Sequence, residues 1–255
     1  MSNDVSNQMN TSRRTFLAKA GTTAGAAVVA PGVFLTTPAA ARPADEPVDI
    51  ERRWGILIDT AKCDDCSDCV TACETENGWG SANPVEEESS PEQQAQWIRK
   101  VGLKNKSTGH VLSLPLMCQH CETAPCVDVC PTGASFKRAD GIVLVDKHIC
   151  IGCRYCMMAC PYKARSFIHE TLTDQKPWAP RGKGTVESCT MCVHRVDEGK
   201  TPACVEACTA ENHNAMFFGD LNDETSVISQ ELEKHGGEQI RADLQLNTGV
   251  RYRGI

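Results

Sequence analysis

Sixteen cysteines constrain this chain more than any other feature, and they fall into four groups of four with none left over. We call these groups quartets 1 to 4. In each quartet the first two cysteines are separated by two residues and the last two by three residues. The quartets are Cys63, Cys66, Cys69 and Cys73; Cys118, Cys121, Cys126 and Cys130; Cys150, Cys153, Cys156 and Cys160; and Cys189, Cys192, Cys204 and Cys208. Aromatic residues make up only 5% of the chain, which argues against a large conventional core.

The spacing indicates iron–sulfur clusters. In bacterial ferredoxins a C-x2-C-x2-C loop places three thiolates on one [4Fe–4S] cubane, and a cysteine three residues later binds a second cluster. Quartet 3 has this spacing completely, quartet 2 carries two extra residues, and quartet 4 has eleven residues between its second and third cysteines. Pro131 and Pro161 follow quartets 2 and 3, and proline suits a position that needs no amide hydrogen bond.

Shared ligation of this kind predicts how the sixteen cysteines would hold four [4Fe–4S] clusters. The inner quartets 2 and 3 exchange their last cysteines, which gives two ligand sets: Cys118, Cys121, Cys126 and Cys160; and Cys150, Cys153, Cys156 and Cys130. The outer quartets 1 and 4 would do the same: Cys63, Cys66, Cys69 and Cys208; and Cys189, Cys192, Cys204 and Cys73. The outer pair departs from the pattern in one respect, because Glu74 and Thr209 stand where the inner quartets have proline.

Zinc sites and disulfides are two other uses of closely spaced cysteines. Zinc sites also contain C-x2-C pairs, but zinc takes four thiolates in two pairs. Zinc binding therefore gives no reason for a third cysteine at a spacing of x2 and a fourth at x3. Disulfide scaffolds occur in short secreted chains without so regular a repeat. The spacing favours iron–sulfur clusters, with a zinc-binding structural module as an alternative.

The repeat predicts an α+β fold made of two bacterial ferredoxin-like units with pseudo-twofold symmetry, together with a β-hairpin insertion and a C-terminal tail. The corresponding boundaries are an inner unit at 111–169, an outer unit at 42–110 and 170–220, and a tail at 221–255.

Local patterns predict individual elements within these units. Apolar runs predict strands at 54–59, 141–146 and 215–218, and a hairpin formed by 97–103 and 110–116. The acidic segment 83–94 is expected to be a surface loop. The tail is expected to begin as a helix after Asp223 and to end loosely at Gly236.

Residues 1–41 have the pattern of a twin-arginine (Tat) export signal. Arg13 and Arg14 precede Phe16-Leu17, a weakly apolar stretch follows, and three alanines end at Ala41. Such signals carry folded proteins, which suits a cofactor inserted before export and predicts a periplasmic location. An uncleaved membrane anchor is the alternative, but glycine and proline interrupt the apolar stretch. No long apolar segment follows, so we expect no membrane span in the exported chain.

The remaining composition argues against several function classes. The formal net charge of −7 disfavours nucleic acid as a partner. The sequence contains no dinucleotide fingerprint, no P-loop, no C-x2-C-H haem motif and no catalytic constellation, so we expect no catalytic residues. His120 is expected to form a hydrogen bond or to border solvent rather than bind metal. Four cations close to cysteines could raise cluster potentials or simply be solvated: Arg154, Lys163, Arg165 and Arg195.

The segments 118–134 (CQHCETAPCVDVCPTGA) and 150–162 (CIGCRYCMMACPY) closely resemble a family of four-cluster iron–sulfur subunits. That family supplies the electron-transfer subunits of dimethyl sulfoxide, polysulfide, tetrathionate and formate-dependent nitrite reductase systems. The resemblance extends from Trp54 to about Asp220 and implies four [4Fe–4S] clusters with the cysteine pairing given above.

Within this family, the leader and residues 181–189 most resemble the periplasmic iron–sulfur subunits of Dsr-type sulfur-metabolism membrane complexes. This likeness implies two partners, an integral-membrane quinone-reactive subunit and a periplasmic multihaem c-type cytochrome. The expected function is electron relay between them, with the chain held at the membrane by its partners. An electron-transfer subunit of a molybdopterin oxidoreductase is the alternative.

Overall fold

The chain divides into two units, residues 1–41 and residues 42–255. The structure is a computed structural model that describes residues 28–30, 33–34, 47–63, 66–79, 95–104, 106–109, 111–172 and 175–255. In the first unit, β1 (Val28–Ala30) pairs antiparallel with β2 (Val33–Phe34). The predicted twin-arginine motif and the acidic segment 83–94 lie outside the described residues, so both stay predictions.

The main sheet of the second unit is built on strand β3 (Trp54–Asp59). Ile56, Leu57 and Ile58 are completely buried, which is the pattern of a strand covered on both faces. Strand β10 (Met216–Asp220) pairs antiparallel with one side of β3, and β11 (Val250–Arg253) pairs parallel with the other. The strands predicted at 54–59 and 215–218 are therefore present, and the second one continues to Asp220.

The C-terminal tail is more ordered than predicted. Its helix, α6 (Val227–His235), begins after Ser226, whose hydroxyl accepts the Ser229 amide hydrogen. After Gly236 the chain forms a short 3₁₀ helix (Ala242–Leu244) and then enters the main sheet as β11. The prediction of a loose end is therefore wrong. Alternate residues of β11 are buried, but an alternation over only four residues is a weak strand signal in a sequence.

A long hairpin lies between quartet 1 and quartet 2. Strand β4 (Ile98–Lys104) pairs antiparallel with β5 (Val111–Met117), from Ile98 opposite Met117 to Lys104 opposite Val111. This hairpin was predicted within one residue of its observed ends. Tyr252 of β11 is completely buried beside it, and its hydroxyl donates to the Pro115 carbonyl at 2.9 Å.

Two packed helices carry half of the outer cysteines. Helix α1 (Asp68–Asn77) holds Cys69 and Cys73, and α5 (Ala203–Ala210) holds Cys204 and Cys208. In each helix the two cysteines are four residues apart, so they lie on one face. This face of each helix is turned into the core, since all four cysteines are buried.

The inner part of the chain consists of short elements between the cysteines. Its helices are α2 (Pro125–Asp128) and α3 (Tyr155–Ala159), and α4 (Val193–Val196) follows in quartet 4. Two small antiparallel sheets connect them, β6 (Ser135–Lys137) with β7 (Val143–Val145), and β8 (Ser166–Phe167) with β9 (Val186–Glu187). The strand predicted at 141–146 is present in its central three residues. The mixture of short helices and sheets agrees with an α+β fold, and within the described ranges no helix is both long and apolar enough to cross a membrane.

Candidate metal centres

The interior of residues 42–255 is lined by sulfur. All sixteen cysteines lie within the described residues. Eleven of them are buried, Cys63, Cys66, Cys130 and Cys150 are half-buried, and Cys153 is exposed. The chain has few aromatic side chains for a core. Cysteines occupy much of the space that aromatic side chains fill in a larger domain.

The structure brings the cysteines together in the four mixed sets that the spacing predicts. We name them groups A to D: group A is Cys63, Cys66, Cys69 and Cys208; group B is Cys73, Cys189, Cys192 and Cys204; group C is Cys118, Cys121, Cys126 and Cys160; group D is Cys130, Cys150, Cys153 and Cys156. Groups A and D each line a small cavity of their own. In groups B and C the thiols lie close enough to shift one another's pKa. Ligation of clusters by these groups stays a prediction.

The electrostatics of the groups fit metal binding. Burial, together with the charges of neighbouring cysteines, raises the pKa of the Cys69, Cys118 and Cys121 thiols to about 12. Burial and neighbouring cysteines also raise the pKa of Cys189 and Cys204 well above its ordinary value. Such thiols cannot all become thiolates without a compensating cation, and iron bound in their midst would supply that charge.

Hydrogen-bond donors are already directed at several sulfurs. The amides of Ser135, Met191 and Ala215 each donate to a cysteine Sγ at 3.3 Å, those of Cys130, Cys189 and Cys208 respectively. Donors of this kind stabilise the negative charge of cluster sulfurs and raise cluster potentials. The arrangement therefore fits an anionic iron–sulfur cluster.

Left-handed backbone conformations shape the loops between ligands. His120, Gly152 and Met191, each inside a C-x2-C pair, have φ of 43°, 69° and 55°. At Gly152 a Cβ would lie 2.1 Å from the Gly184 carbonyl oxygen, so the position has room only for glycine. The loop that carries the group D cysteines therefore packs directly against the segment that leads into quartet 4.

His120 is buried and is not part of any cysteine group. Its Nδ1 accepts the Val143 amide hydrogen at 3.0 Å, and its Nε2 has no partner among the described residues. Burial and the charge of Arg165 lower the pKa of His120 to about 3, so the ring is neutral. The expected hydrogen bond is confirmed, whereas a position at the solvent boundary was wrong, because the side chain is 2% exposed.

Of the four cations singled out in the sequence, only Arg165 contacts a sulfur. It is 5% exposed, and its Nη2 donates to Cys126 Sγ at 3.1 Å. Arg154 and Lys163 are exposed, and the Arg154 guanidinium lies 3.7 Å from the centroid of the Phe167 ring. Arg195 forms ion pairs with Glu76 and Glu206.

The sequence interpretation missed several side chains that border the groups. The Trp79 Nε1–H group donates to Cys73 Sγ at 3.2 Å, and Asn77 Nδ2 donates to the same sulfur at 3.5 Å. Asn77 lies four residues after Cys73 on α1, so helical spacing could have identified it. Near group A, His213 Nε2 lies 3.0 Å from an oxygen of Asp68. No local pattern pointed to Trp79 or His213.

Comparison with known proteins gives a consistent result. Residues 110–221 match a 4Fe–4S dicluster domain, and residues 62–134 match a second family description of the same kind. The Hdr-like menaquinol oxidoreductase iron–sulfur subunit 1 of Archaeoglobus fulgidus is 39% identical over 94% of this chain and 97% of its own length. This chain belongs to the 4Fe–4S dicluster family of iron–sulfur subunits.

Other relatives of this chain are subunits of different oxidoreductases. One tetrathionate reductase subunit, from Salmonella typhimurium, is 39% identical over 89% of this chain and 81% of its own length. One sulfite dehydrogenase subunit, from Allochromatium vinosum, is 40% identical over 72% of this chain and 76% of its own length. As a member of this dicluster family, the chain is an electron-transfer subunit of an oxidoreductase complex whose catalysis takes place in other subunits.

Proposed function

We propose that this subunit carries single electrons through four [4Fe–4S] clusters, one in each of groups A to D. The two ferredoxin-like units would be related by pseudo-twofold symmetry, with groups A and B in the outer unit and C and D in the inner. The observation that carries the proposal is the order of the four groups in space. Electron tunnelling weakens steeply with distance, so a relay needs each centre next to the following one.

Charge interactions between cysteines support the order A–B–C–D. Burial and its own group raise the pKa of Cys204 in group B, and Cys69 of group A raises it further. The pKa of Cys189 in group B is raised by burial, by its own group and by Cys118 of group C. Burial also raises the pKa of Cys156 in group D, Arg165 lowers it, and Cys126 of group C raises it. Each group therefore has a neighbour, and A and D are the two ends.

The surface around group D, at one end of this order, supports the proposal of a membrane partner. Cys153 is exposed there, and apolar side chains stand out around it: Ile151 and Met158 are each 66% exposed, Tyr155 is 54% exposed and Ile149 is 48% exposed. An exposed apolar rim around an accessible ligand suits a docking surface. We assign it to an integral-membrane quinone-reactive subunit, and the A end to a periplasmic multihaem c-type cytochrome.

The location and pathway rest on the sequence. The twin-arginine motif at Arg13 and Arg14 supports export by the Tat pathway, which would leave the subunit in the periplasm, peripheral to the cytoplasmic membrane. The likeness of residues 181–189 to Dsr-type subunits supports a place in dissimilatory sulfur metabolism. Relatives whose names mention tetrathionate, sulfite and dimethyl sulfoxide support a sulfur-compound pathway in general.

Purification of the tagged subunit from native membranes in mild detergent, under anaerobic conditions, tests the proposal. The expected preparation is brown, contains about sixteen irons per chain, and brings down a multihaem cytochrome and a polytopic quinone-site protein. A large molybdopterin subunit in place of the cytochrome would instead make this chain the relay of a terminal reductase. A colourless preparation with zinc and no iron would overturn electron transfer altogether.

A further inference from the structure

Groups C and D lie beside buried positive charge that the nearby carboxylates do not balance. Arg165 and Arg181 are 5% and 8% exposed, and Lys147 is half-buried. Glu187 is completely buried and is held by Arg181 through hydrogen bonds of 2.8 and 2.7 Å. Lys147 Nζ donates to the Val186 carbonyl at 2.7 Å. Glu187 is therefore paired with Arg181, and among the described residues no carboxylate forms a hydrogen bond with Arg165.

Arg165 is the cation that touches the sulfurs. Its Nη2 donates to Cys126 Sγ of group C at 3.1 Å. It also lies close enough to Cys156 of group D for the two groups to interact electrostatically. The guanidinium is thus near both inner groups. Residue 165 lies between Cys160, the last cysteine of quartet 3, and β8.

The rest of the guanidinium has no partner in the described part of the chain. Nε and Nη1 are both buried and neither has a hydrogen-bond acceptor. Leaving charged donors buried and unpaired is strongly destabilising in a protein interior. No described side chain therefore accepts a hydrogen bond from these two N–H groups. The sulfides of clusters bound by groups C and D would be their acceptors.

We propose that Arg165 sets the potentials of the two inner clusters together, and raises both above the values they would have without it. The proposal rests on the proposed function, since it requires clusters in groups C and D. When bound, an oxidised cubane with four thiolates would carry about −2, and one added electron would make it about −3. A buried cation stabilises the more negative, reduced form, and the low dielectric strengthens this effect. One cation beside two centres would therefore shift both potentials in the same direction.

The outer groups are bordered by other side chains. In group A, Lys100 donates to the Cys66 carbonyl. The sulfur of Cys73 in group B accepts from Trp79 and Asn77, which are neutral. Since Arg165 itself lies beside groups C and D, its replacement is expected to act on those two groups.

Arg165→Gln, Arg165→Lys and the control Lys163→Gln would be compared in the anaerobically purified complex. Lys163 is exposed and two residues away, so its loss removes the same charge from a solvated position. Iron content and redox titrations followed by electron paramagnetic resonance give the readout. We expect R165Q to lower the midpoint potentials of two of the four clusters and leave two unchanged, R165K to lower them less, and K163Q to change none.

Each other outcome has a defined meaning. Four unchanged potentials in R165Q with full iron content would overturn the inference, and so would an equal shift of all four. If R165Q loses iron, R165K decides: two lowered potentials support the inference, and unchanged potentials assign Arg165 a purely structural part. A wild-type complex without clusters would contradict the proposed function itself, before any variant is measured.

Discussion

The inner and outer halves of the molecule hold similar cysteine motifs in different electrostatic surroundings. Around groups C and D the sulfurs meet a buried guanidinium, that of Arg165. Around group B they meet the neutral side chains of Trp79 and Asn77. All of these donors except Asn77 come from outside the helices that carry the cysteines. The comparison teaches that the cysteine spacing determines the kind of site, while residues beyond the quartets determine its charge.

Groups B and D also differ in how far their ligands are buried. The four cysteines of group B are between 2% and 5% exposed, whereas group D contains one exposed and two half-buried cysteines. A buried centre can exchange electrons only with its neighbours, and an accessible centre can meet another protein. We therefore propose that group B relays electrons within the subunit and that group D exchanges electrons with a partner protein.

Removal of one ligand should give the largest difference between groups B and D. Cys204→Ala in group B leaves a buried site with three thiolates and no water to replace the fourth, so we expect little folded protein. Cys153→Ala removes an exposed ligand of group D, and we expect a folded subunit that loses at most about four irons and keeps the other three clusters. Yield of folded subunit and iron analysis measure both. Equal yields of folded subunit in the two variants would contradict the comparison.

Gly152→Ala should disturb group D almost as severely. The new Cβ would meet the Gly184 carbonyl oxygen at 2.1 Å, and the backbone has a φ of 69°. Overpacking and the left-handed conformation together should destabilise the fold by about 2–4 kcal/mol.

Gly133→Ala is the matched control, since Gly133 has the same φ of 69° but open space around its Cβ. It should cost only about 1–2 kcal/mol. Thermal unfolding and iron content distinguish the two, and a control as damaging as Gly152→Ala would show that the close approach is not the cause.

The ion pair between Asp59 and Arg253, which joins β3 to β11 in the main sheet, should have a moderate effect. Burial raises the pKa of the Asp59 carboxyl, but the hydrogen bond and charge of Arg253 bring it below its ordinary value. The pair therefore adds stability above the unfolded pKa of about 3.9, and this stability is lost as the pH falls through the lower folded value. We expect Asp59→Asn to cost about 1.5–3 kcal/mol at pH 7.

The same variant gives the sign of the pH dependence. The difference in unfolding free energy between Asp59→Asn and the wild type should stay constant from neutral pH downwards and shrink only in acid. Asp49→Asn is the control, because Asp49 pairs with Arg52 on the exposed surface. A difference that grew as the pH fell would mean that the carboxyl is not held in its charged form.

Trp79→Phe should give the smallest change, and it sharpens the contrast with Arg165. Loss of one neutral N–H donor to Cys73 should lower the potential of the group B cluster by on the order of tens of millivolts. Trp178→Phe is the control, since its indole N–H donates to the Glu76 carbonyl instead of a sulfur. Redox titration measures both, and no shift in Trp79→Phe would show that this donor does not act on the cluster.

The local chemistry of this protein could be predicted from spacing along the chain. Cysteine spacing identifies the quartets, the shared ligation typical of ferredoxins predicts the four mixed sets, and the structure brings these sets together. Apolar runs such as 54–59 likewise identified strands, because burial on both faces leaves a continuous pattern. These properties depend on neighbours along the chain, and so the sequence contains them directly.

Only the tertiary structure decided which side chains surround the sulfurs. Arg154, Lys163 and Arg165 look alike in the sequence, yet packing buries only Arg165 against Cys126. The entry of β11 into the main sheet brings Tyr252 to Pro115, 137 residues away. The physical reason is common to both: burial and partner choice depend on how distant segments pack, and the spacing of residues along a chain carries little information about that.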